Sequence, residues 1–148
     1  MKLIFRTAVI LAAALTLSAC ASGIPFTQMQ PRETAVDPEM GRVFLYRATS
    51  IGAAVQPRIT MNDEVIGVSK AQGFFYVDRP SGEYVIQTTT EVERRVSFVL
   101  DPGQTRYVKF KVGMGFFVGH VYGELVDNEV GRAEIQKCKY TGELLESD

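Results

Sequence analysis

Covalent and acid–base chemistry in this chain falls to few side chains. It has two cysteines, Cys20 and Cys138, and one histidine, His120. Cys20 ends the run Leu17-Ser18-Ala19-Cys20. Ahead of it stand Lys2 and Arg6, then an apolar stretch over 7–17 that is too short to span a bilayer comfortably. A positive start, an apolar middle and small residues before a cut site make the layout of a secretory signal. The small residues let a protease close on the chain beside the membrane. A cysteine at that point supplies a thiolate, the best side-chain nucleophile for alkyl transfer.

Leu17-Ser18-Ala19-Cys20 resembles the bacterial lipobox. The resemblance implies diacylglycerol on the Cys20 sulfur, cleavage between Ala19 and Cys20, and acylation of the freed amino group. Two or three acyl chains hold a protein on a membrane, where a single chain is marginal. Ala21 stands where an aspartate would favour the inner membrane, so the periplasmic face of the outer membrane is the favoured address. Loss of 1–19 would remove Lys2 and Arg6. That leaves 14 basic and 17 acidic residues, with no basic run beside the anchor. A lipidated Cys20 cannot form a disulfide with Cys138. Cys138 lies between Lys137 and Lys139, cations that tend to lower a thiol pKa, and it reads as a half-buried spectator thiol.

The other candidates point away from catalysis. His120 has no second histidine to share a metal and no serine or cysteine nucleophile motif nearby. No catalytic residue, metal or cofactor is therefore expected. Glu91 and Glu93 border Arg94 and Arg95 and read as a solvated, mixed-charge strand. The glycines over 113–119 lack the spacing of a dinucleotide loop, and a strand follows them where phosphate binding needs a helix. Met114, Phe116 and Phe117 form a candidate apolar lip for a partner or the bilayer. The alternative function is an envelope enzyme in which His120 meets Glu124 or Asp127 in a cleft at a sheet end.

These residues need a scaffold, and the sequence supplies one. The chain has 148 residues, enough for one domain with its own core. With 46% hydrophobic and 22% charged residues it lies far from disordered composition. A formal charge of −1 without a clustered basic run gives no sign of a nucleic-acid partner. Residues 20–40, with Pro25, Pro31 and Pro38, read as the lipidated cysteine and a tether, reaching between about 25 and 60 Å. Packing of Ile24 to Phe26 onto the domain stays open. From 41 to 140 the text is strands and turns. Residues 42–48 are apolar on both faces, as in a central strand. Pro57 suggests an edge for 55–61. Asn62-Asp63 fits a tight hairpin turn, and Asp101-Pro102-Gly103 fits a turn with glycine at the positive-φ corner. Residues 104–112 alternate, with Val108, Phe110 and Val112 inward and Tyr107, Lys109 and Lys111 outward. Residues 127–140 fit a short helix, weakened by Gly131, or a last strand. Residues 141–148 read as a flexible tail. The expected fold is all-β, an antiparallel β-sandwich of about seven to eight strands, with one short C-terminal helix as an option.

The runs GRVFLYR (41–47), ITMNDEVIGV (59–68), GFFYVDRPSGEYVIQ (73–87), LDPGQTRYVKF (100–110) and GRAEIQKCK (131–139) resemble the DUF2846 family of small bacterial lipoproteins. MNDEVIG…FFYVDRPSGEYVI also resembles PEGA and carboxypeptidase-regulatory-like β-domains. The resemblance implies the fold and supplies no catalytic residue. The expected function is a lipid-anchored envelope protein whose β-sandwich binds or braces an envelope protein, peptide or glycan.

Overall fold

The computed structural model describes residues 20–29, 36–114 and 119–142. The signal reading (1–19), Phe116, Phe117 and residues 143–148 of the tail lie outside these residues. So does the side chain of Met114, whose backbone ends a strand.

In chain order the elements are α1 (Phe26–Met29), β1 (Met40–Arg47), β2 (Arg58–Met61), β3 (Glu64–Val68), β4 (Gly73–Pro80), β5 (Gly82–Thr88), β6 (Glu91–Leu100), β7 (Thr105–Met114), β8 (Gly119–Val126), α2 (Asn128–Ile135) and β9 (Lys139–Tyr140). Two sheets form, ordered β8-β7-β1-β4-β9 and β3-β2-β5-β6. The strands come in hairpins, β2–β3, β5–β6 and β7–β8; the connections β1–β2, β3–β4, β4–β5 and β6–β7 carry the chain from one sheet to the other, and α2 leads from β8 to β9 within the five-stranded sheet. Asn62 and Asp63 take φ of 48° and 68°, the double left-handed turn that suits a twisted hairpin. Gly103 takes φ of 71°, and the Gln104 N–H donates to the Asp101 carbonyl, closing the expected turn.

The sandwich is mostly antiparallel, as the alternation and short turns predict. Two pairings are parallel: β1 with β7, and β4 with the short β9. Both join strands far apart in sequence, where no tight turn dictates direction. β2 is an inner strand, contrary to the edge position that Pro57 suggests. It begins after the proline, so no ladder donor is lost.

Between the sheets lies an apolar core. Val43, Leu45, Phe75, Val108, Phe110 and Val121 meet Ile59, Met61, Ile86, Phe98 and Leu100. Where β8 approaches β6, Gly123 has no side chain, and a Cβ there would stand 3.0 Å from Val96. A second core covers the outer face of the five-stranded sheet, where Phe26, Phe44, Tyr46, Phe74, Tyr107, Ile135 and Cys138 gather. The helical reading of 127–140 therefore holds for Asn128–Ile135, and a two-residue strand follows it. Gly131 is the residue that lets α2 lie flat, since a Cβ there would come within 2.3 Å of Cγ of Tyr107. Tyr107 is thus buried (2% exposed) under the helix, where alternation placed it outward. The alternation did assign it to the face away from the inter-sheet core. The helix then covers that face.

The tether also contacts this face. Ala21 N–H donates to the Ala71 carbonyl, Phe26 N–H to Cys138, and the Tyr140 N–H to Ile24. Phe26 is 3% exposed and meets the edges of Phe44 and Phe74 at 5.9 and 5.1 Å. Residues 20–29 are thus a docked strap, with Phe26 as its plug and Ile24 left 42% exposed. Phe26→Ala is expected to lower unfolding free energy by about 3–5 kcal/mol, and Ile24→Ala by less than about 1 kcal/mol. Chemical denaturation of the two variants measures this; equal small losses would mean that the strap does not dock.

Candidate functional site

β1 ends just past its Tyr46–Lys109 pair with β7, which runs on to Met114, and the loop over 48–57 leaves from the end of β1. Arg47, at the last position of β1, is 1% exposed and holds that loop. Its guanidinium donates to the carbonyls of Ile51, Gly52 and Val55, each at 2.7 Å. Burial lowers its pKa, and the three carbonyls offset part of the cost of an enclosed charge.

Beside this loop, on the outer face of the five-stranded sheet, is a groove of about 410 Å³. Lys109, Lys111, Lys137, Tyr122, Thr49 and Ile51 line it. Lys109 and Lys111 come from β7, two residues apart on one face, just past the part that α2 covers. Lys137 follows α2. Carboxylates aim the first two. Lys109 Nζ donates to Glu134 at 2.6 Å, and Lys111 pairs with Glu124 on the neighbouring strand. That hydrogen bond raises the Lys111 pKa above the ordinary lysine range. The Tyr46 hydroxyl donates to the other Glu134 oxygen at 2.6 Å. Burial pushes the Glu134 carboxyl up, but the hydrogen bonds from Lys109 and Tyr46 and the charges of Lys109 and Lys137 outweigh it, so its pKa lies below the usual value. Tyr46 moves up through burial and the adjoining carboxylate. Three lysines, two of them paired with carboxylates, thus stand around a half-open groove with an aromatic ring and an apolar loop residue.

The structure keeps the sequence candidates apart. His120 is exposed at the start of β8, and its Nδ1 donates to the Thr90 carbonyl at 2.7 Å. Thr90 also receives the Val121 N–H, so His120 helps pin the β5–β6 turn to β8. Glu124 lies four residues along the strand, about 13 Å away by strand rise, with Tyr122 between and Lys111 as its partner. Asp127 is farther still, beyond the strand end. Among the described residues no group of three or more His, Cys, Asp and Glu side chains could hold a metal. Both cysteines are free thiols, with Cys20 half-buried at the strap's start and Cys138 1% exposed in the second core. Burial and the Glu134 charge push the Cys138 thiol up to about 12, against the lowering that its flanking lysines imply. Lys137 does act in that direction, and burial exceeds it.

Sequence reasoning missed the groove. Lys109 and Lys111 were legible as an outward pair, but Lys137 joins them only through the crossing of α2, and nothing local announces that.

The two sheets, the helix-covered face and the parallel β1–β7 pair define a two-sheet sandwich with one covered side. The chain belongs to the DUF2846 family, described as "Protein of unknown function", whose pattern matches residues 37–121. It is 32% identical over 142 residues to an uncharacterized protein of Haemophilus influenzae strain Rd, covering 92% of this chain and 84% of the relative. No solved structure matches.

Two outcomes are expected here. In the native protein Cys138 resists alkylation at mildly alkaline pH and reacts after denaturation; fast native labelling of the Cys138 peptide, read by mass spectrometry, would contradict its burial. Glu134, with its folded pKa depressed, contributes stability that is present above the unfolded carboxylate pKa and lost as pH falls through the folded one. Glu134→Gln should therefore cost about 1–2 kcal/mol at neutral pH, with the difference from the parent vanishing in acid. Thermal denaturation across pH tests the sign; a gap that widened in acid would refute it.

Proposed function

We propose that this protein is a lipid-anchored protein of the bacterial envelope, and that its β-sandwich serves as a binding or structural module. The observation carrying this reading is the sequence Leu17-Ser18-Ala19-Cys20 together with the position of Cys20 in the fold. Cys20 sits at the rim of the domain, where its backbone pairs with Ala71 and its thiol is in no disulfide. Among the described residues no helix is long and apolar enough to cross a membrane. Ala21 favours the outer membrane, facing the periplasm, as the address. The lysine-lined groove is the surface on which an anionic envelope component, whether protein, peptide or glycan, would be held.

Mass spectrometry of the protein taken from Gram-negative membranes tests the anchor. The expected N-terminal peptide starts at Cys20 and carries diacylglycerol and an amide-linked acyl chain. Cys20→Ser should remain uncleaved and unlipidated. A parent chain starting elsewhere, or with a bare Cys20, would dismiss the reading.

A further inference from the structure

Strand direction sorts the charges of this protein in a way that its composition hides. Because successive strands run up and down, the strap start, the loops over 48–57, 69–72 and 89–90, and the turn over 136–138 all fall at one end. Residues 36–39, 62–63, 101–104 and 127–128 fall at the other. Every lysine of the described chain, at 70, 109, 111, 137 and 139, lies in the half that holds Cys20. Several cations there are balanced. Lys109 has Glu134, Lys111 has Glu124, and Arg94 has Glu91. Arg58, Lys70, Arg95, Lys137 and Lys139, with the buried Arg47, make up the excess. The far end carries Asp37, Glu39, Asp63 and Asp101 on its turns, Glu64, Asp78 and Glu83 at strand ends, and Asp127 and Glu129 where α2 begins, against Arg42, Arg79 and Arg106. Along the strand axis the charges of the described residues are thus sorted, basic toward one end and acidic toward the other.

These cations share the end of the fold that holds Cys20. Cys20 pairs with Ala71, the residue after Lys70, and Lys139 pairs with Gly73 two residues on. Arg58 pairs with Val68 at the same end. Ile51, at 69% the most exposed large apolar side chain among the described residues, lies in the 48–57 loop there. Basic side chains with an apolar residue among them are the chemistry that an anionic bilayer surface recognises.

We propose that this end of the sandwich is a membrane-facing surface that seats on anionic phospholipid head groups, with the lysine-lined groove at its rim. The placement rests on the anchor reading, since an acylated Cys20 would bring these lysines to the bilayer. The acidic end then points away from the membrane, which repels it.

The test uses the protein purified from membranes with whatever Cys20 carries, reconstituted into phosphatidylcholine vesicles with or without phosphatidylglycerol. An amine-acylating reagent reads lysine access, and carbodiimide labelling of Asp63 and Asp101 reads the far end. Lys70, Lys137 and Lys139 should label several-fold more slowly on the phosphatidylglycerol vesicles, and high salt should abolish the difference. The far-end carboxylates should label alike on both. The variant with Lys70→Glu and Lys137→Glu, both at partly or fully exposed positions, should lose the protection of the remaining Lys139. Equal lysine labelling on both vesicles, or protection of Asp63 and Asp101, overturns the proposal even when Cys20 is acylated. If mass spectrometry finds Cys20 bare, the anchor reading falls by itself. The surface is then judged by salt-sensitive binding of the unacylated chain to phosphatidylglycerol vesicles, which each lysine removed should weaken about fivefold. No such binding, or lysine protection by an acidic polypeptide alone, overturns it there.

Discussion

The structure depends on one requirement: β1 must be removed from water on both faces. Its odd residues, Val43 and Leu45, enter the core between the sheets, and its even residues, Phe44 and Tyr46, face the other way. A two-layer sandwich covers only the first set. The rest of the chain supplies the missing layer, with α2 over Tyr107 and Tyr46, and the strap with Phe26 over Phe44 and Phe74. Polar groups on the second face are satisfied where they are enclosed. Arg42, 3% exposed, makes a two-pronged pair with Asp78 at 2.7 Å and lies 4.2 Å over the Tyr76 ring. The Tyr46 hydroxyl reaches Glu134. The first of these pairs also joins residues directly opposite in β1 and β4, so it favours one register of the central ladder.

The groove follows from where the second layer stops. α2 is eight residues long and covers the β7 face at Tyr107, while Lys109 and Lys111 continue beyond it. One lysine is bound to the helix and the other to the adjacent strand, so both ammonium groups are held at the groove wall. The same helix that buries a tyrosine thus fixes the position of a cation.

Much of the sandwich was legible, for local reasons. The two-faced apolar run of 42–48 became a central strand because a strand without a polar face has nowhere else to go. The Asn-Asp and Asp-Pro-Gly turns have backbone angles that few other sequences tolerate. What escaped has nonlocal causes. Gly131 looks like a helix breaker until it meets Tyr107. The three prolines of 21–40 look like a tether until Phe26 finds a hydrophobic gap. The clustering of Lys70, Lys137 and Lys139 depends on which way each strand runs, and the linear charge count near −1 gives no hint of it. His120 and the carboxylates could not be judged as a site from sequence, since strand rise and the competing partner Lys111 decide it.

The strap and the parallel β1–β7 pair have a kinetic consequence. The earliest part of the domain is finished by its latest part: the amides and carbonyls of 24–26 pair with 138–140, and β1 gains its second neighbour only from residues 105–109. A ribosome must therefore release almost the whole chain before the sandwich can lock. Contacts this distant in sequence slow folding, because chain entropy is lost before they form. The nascent protein would thus stay open, threadable and dependent on protection until its last turn of helix has emerged.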